Sequence, residues 1–379
     1  MKIKLALNAT SILTPKTGIG KYTYHLAQEF LCSEEIDVTF FYGSTWSKDL
    51  ADKPVKGLSA FKKLVKAVVP SSYALNRGFQ SIKFRRLRDK TIDVYHDPNY
   101  LLFPFVGKKV ITVHDLSFVR HPDAHPAIRV KAMEKYFPSS LKQADAIITD
   151  SSFSKQELLD CYDVNPSKVF SIHLGVEDKF SPRTGAECSD CMKKYNLQYR
   201  KYILVVGTLE PRKNLGLVLK AYQKLPGAVR REYPLVIVGM KGWGTPEIEE
   251  EMKPLERQQQ LKLLGYVPEQ DLPALYAAAK LFVYPSLYEG FGLPPLEAMA
   301  SGVPVITSDQ ASLPEVVGKA GVQVAPNDVD GLMQEMKKIL SQEECWHAMY
   351  EAGLVQAGKF SWKQCADETI AVYRKVLGY

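Results

Sequence analysis

From Tyr284 to Ser301 the chain reads YPSLYEGFGLPPLEAMAS. Two carboxylates, Glu289 and Glu297, bracket two glycines, Gly290 and Gly292, and two prolines, Pro294 and Pro295. The apolar run ending near Pro285 predicts a strand. Pro294 and Pro295 fit the first turn of a helix, where a missing N–H goes unfelt. Gly302 stops that helix and Pro304 opens the next strand. The two glycines let the backbone approach a ligand closely, and the helix start offers free N–H groups and the positive dipole end that suit a phosphate. In that setting Glu289 on the loop can accept hydrogen bonds from sugar hydroxyls. Glu297, roughly two turns further along, can hold a ribose. A plain helix start with acids complementing the dipole accounts for one glutamate near it. It does not account for the whole arrangement of glycines, prolines and glutamates.

The stretch from Glu289 to Glu297 resembles the E-x7-E motif of retaining glycosyltransferases of the two-Rossmann-domain (GT-B) type, family four. A second stretch, VGTLEPRKNL from Val206 to Leu215, resembles that family's phosphate-binding loop after the first strand of the second domain. It places Arg212 and Lys213 where a strand gives way to a helix, with Asn214 as the expected cap. Two fixed cations can neutralise a departing nucleoside diphosphate without a metal. The resemblance also assigns Thr208 to the donor, together with Gly290, Phe291, Gly292 and Leu293. It covers nearly the whole chain.

In the first half, Thr17-Gly18-Ile19-Gly20-Lys21-Tyr22 follows the first strand and opens a helix. It is shorter than the dinucleotide fingerprint and weak by itself. The resemblance gives Gly18 and Gly20 the role of a glycine-rich loop against the donor's phosphate and sugar. Two histidines end strands, His96 in YHDPN and His114 in VHDLSF. The resemblance makes His114 the active-site histidine. His96 reads equally well as a functional group or as a hydrogen-bonded strand-end residue. Gly265-Tyr266-Val267 precedes a helix expected to be capped by Asp271, and the resemblance places Val267 at the nucleotide base.

Two other patterns are read as ordinary. Asp328-Val329-Asp330 looks like a metal-binding D-x-D, but it sits just before GLMQEMKKIL, where an aspartate is a cap. No metal and no cofactor are expected. Cys188 and Cys191 form one C-x-x-C without the second pair that a zinc site needs. They are expected to be reduced cysteines in a linker.

The elements that must hold these groups come from apolar runs alternating with amphipathic stretches. Strands are expected at 2–7, 37–42, 92–96, 108–114, 146–149 and 168–174, and again at 202–206, 235–238, 261–264, 281–284, 303–307 and 321–324. Helical patterns lie at 19–31, 126–142 and 152–161. After Leu215 a 3.6-residue period aligns Val218, Leu219, Tyr222 and Leu225. Uniformly apolar strands alternating with helices imply parallel sheets covered on both faces. The fold class is therefore α/β, with two Rossmann-like doubly wound domains facing a cleft, at 1–180 and 195–360. A polar linker is expected between them, at about 175–200. A last helix, 361–379, with Ser361 as its cap and Cys365, Ile370, Tyr373 and Val376 as its apolar side, is expected to return to the first domain. Ligands of such sheets bind at the carboxyl ends of the strands.

The chain has 379 residues, of which 46% are hydrophobic and 24% charged. That is the balance of a folded protein, and no apolar run approaches the ~18 residues of a membrane span. The apolar start breaks at Asn8, too early for a signal-peptide core, so a cytoplasmic location is expected. The net charge is +7. Residues 1–180 hold 26 Lys+Arg against 19 Asp+Glu, a difference of +7, whereas residues 181–379 hold 23 of each. Eleven basic residues against Asp89 alone fall in 53–90. Leu58, Phe61, Leu64, Val65 and Val68 make an apolar stripe there beside Lys62, Lys63 and Lys66. A membrane interface with anionic lipid is one reading and a packed helix with a solvated basic face is the other. No nucleic-acid motif accompanies the charge.

The expected activity is retaining transfer of a hexose from a nucleotide-sugar to a glycan or lipid-linked acceptor, at the inner face of the membrane. The motifs look most like bacterial mannosyltransferases of O-antigen and related surface polysaccharides. That favours GDP-mannose, with UDP-glucose and UDP-N-acetylglucosamine as alternatives. A sugar-nucleotide epimerase on the same fold, a nicotinamide dehydrogenase and a non-catalytic sugar-binding protein are the rivals. The dehydrogenase lacks an acid at the end of the second strand, which closes with Phe41-Tyr42-Gly43.

Overall fold

The computed structural model describes residues 2–13, 18–51, 80–84, 91–240, 242 and 246–379. The basic stretch 53–90, with its apolar stripe, lies outside the described residues except for 80–84, as does Thr17. The chain divides into one unit of Met1–Gly175 with Trp362–Tyr379 and a second of Val176–Ser361. Strands are numbered in chain order, as are helices of eight or more residues.

In the first unit seven strands form one sheet: β1 (Ile3–Asn8), β2 (Ile36–Phe41), β3 (Trp46–Ser47), β4 (Val94–Asp97), β5 (Lys108–Val113), β6 (Ala146–Thr149) and β7 (Val169–Ser171). Their order is β3-β2-β1-β4-β5-β6-β7. All neighbours run parallel except β2 and β3, which pair antiparallel through Phe40 and Ser47. Leu5 and Leu7 of β1 are fully buried, as strands covered on both faces require. Helices α1 (Gly18–Cys32), α2 (Ala127–Gln143) and α3 (Ser152–Cys161) follow the expected ranges closely. Phe41, Phe84, Phe103 and Tyr95 pack together in the core of this unit. The chain reverses between β1 and β4. There Asn8 Nδ2 donates to Asp97 Oδ2 over 2.8 Å, and the Tyr95 hydroxyl donates to the same oxygen over 2.6 Å.

The second unit holds a six-stranded parallel sheet of β8 (Ile203–Val206), β9 (Leu235–Val238), β10 (Leu261–Gly265), β11 (Leu281–Tyr284), β12 (Val305–Ser308) and β13 (Val322–Val324). The order β10-β9-β8-β11-β12-β13 makes the reversal fall between β8 and β11. Its long helices are α4 (Leu215–Lys224), α5 (Pro246–Arg257), α6 (Leu293–Ala300), α7 (Val329–Ser341) and α8 (Glu343–Ala357). Leu215, Val218, Leu219 and Tyr222 of α4 are buried, with Leu225 just beyond. Each such side chain contributes about 1.5–3 kcal/mol by leaving water.

The stretch expected as a linker is built into the second unit. Ser189–Tyr195 is helical and Asn196 closes it in the left-handed region. Cys188 is buried, and all six cysteines are free. Polar turn formers had suggested an exposed connection. The helix instead packs on Leu272–Ala277, and Cys191 Sγ faces the Asp271 carbonyl at 3.8 Å.

Helix α9 (Trp362–Leu377) belongs to the first unit and packs on α1, β5 and β6. Cys365, Ile370 and Tyr373 are buried, as is Val372. Trp362 stacks on His25 with ring centroids 4.8 Å apart. The deepest tie is His96. Its Nδ1 lies 2.6 Å from the Tyr373 hydroxyl and its Nε2 lies 2.8 Å from Thr112 Oγ1. Tyr22 of α1 meets the same Thr112 oxygen at 3.0 Å. Burial, with a smaller effect from His114, pushes the His96 pKa down to about 3, so the ring is neutral. Both ring nitrogens are engaged, Nδ1 with Tyr373 of α9 and Nε2 with Thr112 of β5, as the hydrogen-bonded reading of His96 expects.

Candidate active site

The two carboxyl ends at the β8/β11 reversal carry both motifs of the second half. After β8, Gly207 turns with φ 153°, and its N–H bonds the Val238 carbonyl at 2.8 Å. Gly239 sits so close that a Cβ would fall 1.8 Å from the Gly207 carbonyl oxygen. A Cβ on Gly242 would lie 2.2 Å from the Leu209 oxygen. These contacts pull the loop tight over the sheet edge, with half-buried Thr208 inside it. A single 3₁₀ turn, Pro211–Lys213, then leads into α4. Asn214 does not cap α4. It adopts the left-handed conformation, and its Nδ2 donates to the Pro326 carbonyl over 2.8 Å.

Arg212 and Lys213 meet Glu289 from across the reversal. Lys213 Nζ donates to Glu289 Oε1 over 2.5 Å, and Arg212 donates to Oε2 over 3.1 Å. Ser286 Oγ and the Tyr284 hydroxyl also donate to Oε1, over 2.6 and 2.8 Å. Arg212 further holds the Tyr288 carbonyl at 2.5 Å and Glu210 Oε1 at 2.6 Å. Burial opposes the charge on Glu289, but Lys213, Arg212 and Ser286 outweigh it and hold the pKa down at about 2. Burial acts more strongly on Lys213 and lowers its pKa despite Glu289.

Arg212 and Lys213 face two carboxylates, Glu210 and Glu289, so the cluster is charge-balanced. The motif reading omits Glu210, which stands in the same loop two residues before Arg212. An acid inside a phosphate loop was the available signal.

The loop behind Glu289 is shaped by Ser312, whose Oγ donates to the Glu289 carbonyl over 2.9 Å and to the Phe291 carbonyl over 2.5 Å. Gly290 and Phe291 are buried. Gly292 has φ 124° and caps α6 with no side-chain hydrogen bond. Pro294 and Pro295 fall in the first turn as expected, and half-buried Leu293 begins it. A helix start next to buried cations suits a phosphate.

Other assigned residues lie apart from this cluster. Glu297 is buried in α6, where its charge helps burial raise the Tyr276 pKa. At the end of β10, Val267 is 5% exposed whereas Tyr266 is 71% exposed, so Tyr266 is the side chain open to a ligand there. Asp271 makes no side-chain cap. Its carboxylate takes Lys194 Nζ at 2.5 Å and the Tyr195 hydroxyl at 2.7 Å. Asp328 does cap α7, accepting from the Gly331 N–H over 2.8 Å.

In the first unit Gly18 is the exposed first residue of α1, and Gly20 is buried in its first turn. Gly20 thus serves helix packing and is no part of a loop. His114 follows β5 and is buried. Its Nδ1 lies 2.7 Å from Asp150 Oδ2, and its Nε2 lies 2.9 Å from the Pro98 carbonyl oxygen. Asp150 carries no signal of its own in the sequence: it belongs to no motif and reads as one polar residue after a strand.

A family model described as "Glycosyltransferase Family 4" matches residues 16–180, and one described as "Glycosyl transferases group 1" matches residues 191–355. The chain is 37% identical to an Escherichia coli protein named O-antigen chain mannosyltransferase B, over 98% of this chain and 100% of that one. It is 29% identical to an O-antigen chain mannosyltransferase of Salmonella typhimurium, over 62% of each chain. Among solved structures, sucrose-phosphate synthase from Thermosynechococcus elongatus superposes with a TM-score of 0.75 at 19% identity, over 100% of both chains. At that identity the likeness is one of fold, and it agrees with the two doubly wound sheets of the GT-B type. Among the described residues, no helix is long and apolar enough to cross a membrane. The end-to-end identity, with the Glu289–Arg212–Lys213 cluster in place, shows that the chain belongs to the family-four glycosyltransferases.

Proposed function

We propose that this glycosyltransferase moves mannose from GDP-mannose onto a glycan or lipid-linked acceptor in bacterial surface polysaccharide synthesis, with retention of anomeric configuration. The observation that carries the reading is the charge-balanced cluster at the β8/β11 reversal. Arg212 and Lys213 exchange their carboxylate partners for the diphosphate, helped by backbone N–H groups at Gly292 and Leu293. Glu289 orients the sugar hydroxyls, Glu297 holds the ribose and His114 serves the sugar. The bond from the anomeric carbon to the phosphate oxygen breaks. The acceptor oxygen bonds to that carbon from the same face, and its proton passes to the leaving phosphate. Preorganised positive charge stabilises the anion as it forms, so no metal or cofactor is invoked. Mannose is favoured by the names of the relatives. A cytoplasmic protein touching the inner membrane face through 53–90 fits a lipid-linked acceptor.

Thermal shifts with GDP, UDP, TDP and NAD test the donor base, because a bound ligand stabilises by mass action. Stabilisation by GDP alone, with transfer from GDP-mannose, is the expected result. UDP alone would replace the donor by a UDP-sugar, and NAD alone would reject the reading. Glu289→Ala, and Arg212→Ala combined with Lys213→Ala, should each abolish transfer in a folded protein. Full activity in both rejects the site.

A further inference from the structure

β5 and β6 run side by side with Val113 opposite Thr149, so the next residue on each, His114 and Asp150, emerge together. The imidazole is clamped from two sides, by Asp150 Oδ2 at 2.7 Å and by the carbonyl of Pro98, just past β4, at 2.9 Å. A carbonyl only accepts, so Nε2 carries a hydrogen. Asp150 is 4% exposed, and its other oxygen, Oδ1, is buried without a hydrogen-bond partner. Much of the compensation for a carboxylate in that position must come from the imidazole it touches.

The other groups around the pair are weak competitors. Tyr22 of α1 meets the His114 ring edge-on at 5.0 Å, and Tyr100 does so at 5.8 Å. Asp115 adds negative charge near both members of the pair. His173, past β7, faces Asp150, as does Cys365 of α9. His96 of β4 acts on the same side but is neutral. Burial alone would lower the His114 pKa, and Asp150 overcomes it, so the pKa is raised. On Asp150 burial outweighs the imidazole and that pKa is raised too.

We propose that Asp150 is a positioning residue for the transfer reaction, holding His114 in one orientation with hydrogen on both ring nitrogens. The Nε2–H parked on the Pro98 carbonyl is then the donor that a sugar hydroxyl competes for. This rests on the reading that His114 serves the sugar, and it adds the group that sets the protonation of His114.

The full chain, labelled with ¹⁵N-histidine, should show both His114 ring nitrogens protonated at neutral pH. Asp150→Asn keeps the shape and removes the balancing charge. The His114 titration midpoint should fall by at least about one unit, and the high-pH limb of kcat should move down with it. The kcat should drop roughly ten- to hundred-fold, as when a group orienting an imidazole is lost. KM for the donor should change much less, and Asp150→Glu should restore most of the rate. A merely structural Asp150 would lower the melting temperature and leave the His114 midpoint and the pH limb in place. That result overturns the proposal, as does an unprotonated Nδ1 in the wild-type chain at neutral pH. His114→Ala separates the two layers. Full transfer by that variant removes the sugar assignment itself. An inactive His114→Ala beside an unaltered Asp150→Asn profile removes Asp150 alone.

Discussion

Glu289→Gln should bind GDP more tightly than the wild-type chain while losing transfer. Glu289 occupies both cations, with Lys213 at 2.5 Å and Arg212 at 3.1 Å. Its pKa falls from 4.5 to about 2, which at 1.36 kcal/mol per unit is about 3 kcal/mol of interaction in favour of the charged form. A diphosphate that takes over the cations must displace part of that. Even a third of it, about 1 kcal/mol, is roughly fivefold in affinity. Glutamine keeps the volume and the hydrogen bond from Ser286 but removes the competing charge. Titration calorimetry of GDP into both proteins measures the difference, and a transfer assay with GDP-mannose measures the loss of rate. The gain should shrink with added salt less than a surface effect would, because the cluster is largely buried. The same ion pairs give a sign in acid. A depressed carboxylate contributes stability that is fully present above its ordinary pKa of 4.5 and lost as the pH falls toward about 2. Glu289→Gln should lose that part of the acid dependence. Equal or weaker GDP binding by the variant would refute the competition between Glu289 and phosphate.

Three further substitutions probe the frame around the site. Gly239→Ala puts a methyl group 1.8 Å from the Gly207 carbonyl at a φ of 157°. Overpacking against backbone should cost at least about 1–3 kcal/mol and disorder the phosphate loop, read as a lower denaturation midpoint and weakened GDP binding. Tyr373→Phe strips the partner from His96 Nδ1. An unsatisfied buried nitrogen should cost about 1–3 kcal/mol, and since that histidine titrates near pH 3 the loss should be flat across neutral pH in chemical denaturation. Asp328→Ala removes the cap of α7 at about 1 kcal/mol, and transfer should persist in this variant in the presence of a chelator.

Much of the frame was readable because its signals are local. Every strand of four residues or more lies within two residues of an expected run, since an apolar stretch buried on both faces shows itself without reference to anything distant. The two-residue β3 was missed because Trp46 and Ser47 carry no pattern at that length. Caps were read less well. Asn214 and Asp271 are good cap residues by type, but each found a stronger partner far along the chain, Pro326 for the one and Lys194 with Tyr195 for the other. The stretch around Cys188 looked like a linker because turn formers dominate its first half, and the helix of about two turns at Ser189–Tyr195 is too short for a periodic signal.

Charge balance is what a linear motif conceals. Read along the chain, EPRKN ends in two cations, and the acid before them looks incidental. Folded, the 3₁₀ turn brings the Arg212 side chain back onto Glu210, and the strand reversal brings Glu289 onto both cations. The site then carries no net charge from these four groups, so a diphosphate cannot be drawn in by uncompensated charge there. It must win an exchange against carboxylates that already satisfy the cations. In the proposed reaction such an exchange frees Glu289 for the sugar hydroxyls. The same pairing opposes the burial that depresses the pKa of Lys213. In the proposed reaction the carboxylate that orients the hexose is thus also the group that pairs with both cations of the cluster.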